Sequence, residues 1–99
     1  SMIRDVPKGT SAVDADIGRT LELSVPGGGT TGYRWEARPA DGVEVERLPM
    51  RPRAAFGDAS RDIFKVTPRR AGDISLQLEL RAPWQAEPAE TRVVVIRIR

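Results

Sequence analysis

Apolar and polar residues alternate with a period of two along most of the chain. Thr20-Leu21-Glu22-Leu23-Ser24-Val25 alternates cleanly, as does Val43-Glu44-Val45-Glu46-Arg47-Leu48. Ile74 to Leu80 is the longest strict run, and Arg92 to Arg99 closes the chain with Val93, Val95, then Ile96 and Ile98. Such alternation sets one face of a strand in a core and the other in water. Shorter strands are predicted near Ser11–Asp14, Tyr33–Ala37 and Ile63–Thr67. Val94-Val95-Ile96 interrupts the last alternation, which predicts either a bulge or burial on both faces. No window of about ten residues shows the 3.6-residue apolar spacing of a helix.

The punctuation agrees. Pro26-Gly27-Gly28-Gly29, Pro39-Ala40-Asp41-Gly42, Pro49 to Pro52, Arg70-Ala71-Gly72-Asp73 and Pro83 to Pro88 all fall between the alternating runs. Proline and glycine stop ladders there and supply turn dihedrals. About seven short strands with a turn every ten or so residues is the pattern of an all-β, immunoglobulin-like β-sandwich.

A length of 99 residues fits one domain at the usual ~100–200 residues each. Residues 1–10 are read as an N-terminal extension whose Ser1-Met2 is a vector remnant, and residues 11–99 as the domain. No stretch approaches the ~20 apolar residues of a membrane helix, so no membrane insertion is expected. The compartment stays open; a secreted or periplasmic location follows if a signal peptide has been removed.

Composition narrows the chemistry. There is no cysteine and no histidine, which excludes disulfide scaffolds, thiol nucleophiles, Ser-His triads and Cys/His zinc sites. Asp14 with Asp16, or Asp58 with Asp62, are the acid pairs available for acid-base work or calcium, but neither spacing matches a calcium loop. Glu22, Glu44, Glu46 and Glu79 occupy alternating strand positions and are expected to face solvent beside arginines. No catalysis, metal or cofactor is expected. Sixteen Lys+Arg against fourteen Asp+Glu leave +2, too little to drive nucleic-acid binding by counterion release, even with Arg51, Arg53, Arg61, Arg69 and Arg70 present.

The segment Gly27-Gly28-Gly29-Thr30-Thr31-Gly32-Tyr33-Arg34-Trp35 is more specific. It is either a flexible hairpin or an extended, exposed loop on a rigid scaffold, which is where such domains place binding function. Its Thr30-Thr31-Gly32-Tyr33-Arg34-Trp35 resembles the Asn-Pro-Thr-Thr-Gly-Tyr-x-Trp signature of the chagasin-like cysteine protease inhibitors. Gly18, Leu21, Leu23 and Val25-Pro26 fall where that family has its lead-in strand. Phe56-Gly57-Asp58-Ala59-Ser60 stands where the family carries Gly-x-Gly-Gly before a strand phenylalanine, here Phe64. Gly72 matches the glycine opening the next strand, and Arg81-Ala82-Pro83-Trp84 resembles the family's Arg-Pro-Trp loop. The resemblance runs from about Val13 to Arg99.

The resemblance implies a monomeric inhibitor of papain-like cysteine proteases that occludes the catalytic cleft with three loops at one end of the sandwich. Carried over, Gly29, Thr30, Thr31 and Gly32 form the central loop, with both threonines approaching the protease's Cys-His pair. Phe56, Gly57 and Asp58 flank it on one side, and Arg81, Pro83 and Trp84 on the other. Trp84 is expected to be exposed as the aromatic anchor, whereas Tyr33, Trp35 and Phe64 are assigned to the core. Gly28-Gly29 in place of Asn-Pro predicts a looser loop, whose ordering would cost roughly 1–2 kcal/mol on binding. The alternative is a non-inhibitory immunoglobulin-like module that binds another protein with the same loops.

Overall fold

The computed structural model describes residues 2–49 and 60–99. Among the described residues eight strands form, one more than the pattern suggested: β1 (Met2–Asp5), β2 (Gly9–Ala15), β3 (Leu21–Pro26), β4 (Arg34–Ala37), β5 (Val43–Arg47), β6 (Arg61–Pro68), β7 (Gly72–Arg81) and β8 (Glu90–Ile98). They make two four-stranded sheets, β1-β3-β6-β5 and β2-β8-β7-β4. β1 runs parallel to β3 and β2 parallel to β8, while the other neighbours are antiparallel. Among the described residues no helix is long and apolar enough to cross a membrane.

The additional strand comes from residues expected to lie outside the domain. β1 extends one sheet beside β3, residues 9 and 10 begin β2, and Val6 between them is buried in the core. The reason is local: Val6 N–H donates to the Ser24 carbonyl at 2.9 Å and continues the β1–β3 pairing inward.

The two inner faces follow the alternation. Leu21, Leu23 and Val25 of β3 and Phe64 and Val66 of β6 meet Leu76 and Leu78 of β7 and Val94, Ile96 and Ile98 of β8. β8 has no bulge, because its register with β7 advances one for one from Gly72↔Ile98 to Leu80↔Glu90. Its inward row is Arg92, Val94, Ile96 and Ile98, leaving Val93 and Val95 half-buried on the outer face of a central strand. Arg92 is buried in that row. Its guanidinium lies 5.0 Å from the Trp35 ring centroid and donates to the Val6 carbonyl at 2.7 Å and to Glu90 at 2.6 Å. A buried cation is tolerable there because ring, carbonyl and carboxylate all face it.

The registers also fix where the loops go. Pro26 pairs with Arg61, Arg47 with Phe64, Arg34 with Arg81, and Leu80 with Glu90. The β3–β4, β5–β6 and β7–β8 connections therefore leave from one end of the sandwich. The β3–β4 connection is not a hairpin, since its two strands belong to different sheets.

Leu78 is fully buried where the sheets meet. Leu78→Ala should cost about 2–5 kcal/mol in urea unfolding, since lost transfer energy and cavity add. A loss under about 1 kcal/mol would show that the sheets close over the gap.

Candidate functional site

Residues 27–33 carry the chain from one sheet to the other at the loop end. Gly28 and Thr31 close a turn, with Thr31 N–H donating to the Gly28 carbonyl at 3.2 Å. The Thr31 hydroxyl donates to the same carbonyl at 2.7 Å and accepts from Tyr33 N–H at 3.3 Å. Gly29 takes the first central position with φ +62°, the sign a primed turn needs and one that side chains strongly disfavour. Thr30 holds the second central position and is exposed, whereas the exposed Thr31 spends its hydroxyl within the loop.

Each glycine of the run has its own cause. A Cβ at Gly28 would come 2.1 Å from the Tyr33 carbonyl oxygen, and one at Gly27 would come 2.8 Å from Ser60 Oγ. The segment is not a hairpin but an exposed crossing between the sheets, with contacts from Tyr33 and Ser60 at its glycines. Substituting Asn-Pro here would fail, because proline's φ near −65° is incompatible with Gly29 and its ring nitrogen has no hydrogen to donate.

Three ties hold the loop to its surroundings. Beneath it, Asp62 accepts Trp35 N–H at 3.0 Å through Oδ2, and its Oδ1 lies 3.6 Å from the Arg47 guanidinium. Trp35 is 1% exposed, and its indole N–H reaches back across the loop to the Pro26 carbonyl at 2.8 Å. On one side, Ser60 receives two loop amides: Gly27 N–H on its carbonyl at 2.9 Å and Gly29 N–H on its hydroxyl at 3.1 Å. On the other, Tyr33 meets Trp84 edge-on at 6.0 Å and 75°, and its hydroxyl accepts from the Gln85 amide at 3.0 Å.

Trp84 is 69% exposed and still positioned. Its ring lies over Gly32, where a Cβ would come within 3.0–3.1 Å of it. The β7–β8 loop is stiffened from within by Gln85 N–H to the Ala82 carbonyl at 3.0 Å and Ala89 N–H to the Leu80 carbonyl at 2.7 Å. Arg81 braces it, donating to the Ala86 carbonyl at 2.7 Å and to Glu79 at 2.6 Å, and Pro83 is exposed beside Trp84.

The predicted residues thus divide. Gly29, Thr30, Thr31, Gly32, Pro83 and Trp84 come together at the loop end, and Arg81 lies at the base of the β7–β8 loop. Phe56, Gly57 and Asp58 lie outside the described residues. Trp35 and Phe64 are core as expected, but Tyr33 is only half-buried, because its hydroxyl and ring edge serve the loops rather than the sheets. Ser60 falls in the loop segment that the resemblance marks, but its hydroxyl contact, like the parts of Asp62 and Gln85, is not legible in the sequence. For Asp62 only its placement gave a signal, a carboxylate on the inward parity of Phe64 and Val66.

Of the acid pairs, Asp58 lies outside the described residues, and the other members each have a partner. Asp62 is committed to Trp35 and Arg47, Asp14 to Arg97 at 3.0 Å, and Asp16 lies 4.0 Å from Arg19. Glu79, expected in solvent, is buried because Arg81 and Gln77 both donate to it. The Arg81 hydrogen bond is the main cause holding the Glu79 carboxyl below its ordinary value of 4.5.

The molecule is thus a two-sheet β-sandwich whose β3–β4 and β7–β8 loops meet at one end through Tyr33, Trp84 and Gln85. The sequence profile of the chagasin family of peptidase inhibitors (I42) matches residues 14–98, and the chain belongs to that family. No curated protein sequence matches it. Among solved structures it is similar to amebosin in solution, with a TM-score of 0.74 and 21% identity over 99% of this chain and 97% of that one. The cysteine protease inhibitor EhICP2 of Entamoeba histolytica also gives 0.74, with 19% identity over 99% and 96%. PbICP-C, in a structure with falcipain-2, gives 0.71 with 10% identity over the full length of both chains. At those identities the likeness is one of fold.

Two outcomes follow. Gly29→Pro, which moves toward the family's sequence, should destabilise the protein by more than about 1 kcal/mol in denaturant unfolding, since backbone and donor both conflict; unchanged stability would refute the turn. For Glu79, a depressed folded value means its contribution is present above about 4.5 and is lost as pH falls through the folded value. Glu79→Gln should therefore show a smaller drop in Tm than wild type between about pH 7 and about pH 3. Equal drops would mean Glu79 contributes nothing to acid sensitivity.

Proposed function

We propose that this protein inhibits papain-like cysteine proteases by filling the catalytic cleft with the turn at residues 28–31, with Trp84 anchoring beside it. Membership of a peptidase inhibitor family supports the class of activity. The likeness to EhICP2, a cysteine protease inhibitor, and to PbICP-C, seen with falcipain-2, supports the protease type. The observation that carries the reading is Trp84, an exposed ring held edge-on to Tyr33 over Gly32, next to a turn already closed by its own hydrogen bonds.

A surface of this kind works without chemistry of its own. Blocking a Cys-His site requires shape, a close backbone approach and a low ordering cost, so the lack of cysteine and histidine is no obstacle. Thr30 is the residue at the turn's centre whose side chain points outward, and it is assigned to the cleft. Thr31 keeps the turn closed. Gly32, with φ +89°, lets backbone and indole lie close together. Pro83 limits the freedom of the segment carrying Trp84. Arg81 is assigned a bracing part rather than direct contact, since Glu79 and Ala86 occupy its guanidinium. Phe56, Gly57 and Asp58 are assigned to the protease's other flank by resemblance alone.

The test is inhibition of papain and cathepsin-type enzymes by the purified protein. Trp84→Ala should weaken inhibition by about 2 kcal/mol or more, roughly thirty-fold, with an unchanged circular dichroism spectrum. Thr30→Glu, which sends a charge into a dry cleft, should weaken it as well. Wild-type protein without effect at about 100 μM on several such enzymes would overturn the proposal, since that concentration lies far above any useful dissociation constant.

A further inference from the structure

We infer that Ser60 is a positioning residue for the inhibitory turn, its hydroxyl replacing the rigidity that a proline would otherwise give. The inference rests on the inhibitory reading above for its consequence, and on the geometry alone for the clamp itself.

Pro26 and Arg61 are the last paired residues of the β3–β6 ladder. One step further, Gly27 N–H still reaches the Ser60 carbonyl at 2.9 Å. Beyond that the left-handed φ of Gly29 turns the chain away toward the other sheet, and among the described residues the Gly29 N–H meets no backbone acceptor. The Ser60 hydroxyl bridges that gap by accepting Gly29 N–H at 3.1 Å. One residue thus holds two amides of the turn's approach, one with its main chain and one with its side chain.

The neighbouring sequence is fitted to this hydroxyl. A Cβ at Gly27 would sit 2.8 Å from Ser60 Oγ, so a side chain there would drive the hydroxyl away from Gly29. Asp62 Oδ1 at 3.3 Å and the Ser60 carbonyl carbon at 3.4 Å leave little room to shift. Gly27 and Ser60 therefore work as a pair, and neither was marked by the resemblance as a contact residue. A released turn would spend part of its time in shapes that do not fit a cleft. The apparent affinity would then fall with the competent fraction, and the loss would lie in association rather than dissociation.

Amide hydrogen exchange of Gly29 by NMR, together with association and dissociation rates against papain, tests this on Ser60→Ala. Exchange at Gly29 should quicken ten-fold or more while Leu23 in β3 and the Tm stay as in wild type. Association should slow three- to ten-fold with dissociation unchanged, and Ser60→Thr, which keeps the hydroxyl, should restore both. Gly27→Ala should mimic Ser60→Ala, and the double variant should be little worse than either. Unchanged Gly29 exchange in Ser60→Ala would overturn the clamp, and so would faster dissociation with unchanged exchange, since that marks direct contact with the protease. If wild type fails to inhibit papain, the inhibitory reading falls while the exchange measurement still decides the clamp.

Discussion

The loop end depends on Asp62. It occupies an inward position of β6, where alternation alone would place an apolar side chain, and it accepts the backbone N–H of Trp35 from the opposite sheet. That bond joins the two sheets by a polar contact beneath the turn. It fixes where β4 starts, and so how much chain is left to cross from Pro26 to Arg34. The Arg47 guanidinium lies beside the same carboxylate and stacks 4.9 Å from the Phe64 ring, bringing the end of β5 to the same place. A buried carboxylate between a backbone donor and a cation is stable only while both remain, so the arrangement is specific rather than merely sticky.

From that point the rest follows in order. Trp35 fills the core under the turn and holds Pro26 through its indole N–H. The turn then closes on itself through Thr31, is clamped on one side by Ser60, and meets Tyr33 and Trp84 on the other. Polar bonds give the surface its shape, while the apolar sandwich beneath supplies the energy that lets a small turn stay ordered. Association with a partner is then spared much of the ordering cost that a glycine-rich segment would otherwise carry.

The strands were legible because period two is a direct imprint of a two-layer core: Leu21, Leu23, Val25, Leu76 and Leu78 all lie where alternation put them. β8 misled because Val93 to Ile96 is apolar on both parities, and the burial of Arg92, Val94, Ile96 and Ile98 shows which parity faces inward. β1 was missed because a four-residue edge strand with every side chain exposed leaves no hydrophobic signature. In the site, the exposure of Trp84 could be anticipated from its turn context. Tyr33 could not, since sharing parity with Trp35 says nothing of a hydroxyl partner such as Gln85. The glycine run looked like freedom because sequence shows absent side chains but not the atoms that occupy their places. Here those atoms are the Tyr33 carbonyl and the Ser60 hydroxyl.

The central claim is that one end of the sandwich is a preformed protease-binding surface. Amide chemical-shift perturbation on adding papain with its catalytic cysteine replaced by serine tests it most directly. Shifts should concentrate at residues 28–33, 60 and 82–87, and residues 16–20, 38–42 and 69–71 at the opposite end should stay unmoved. Perturbation centred on that opposite end, or on the outer face of either sheet, would contradict the account.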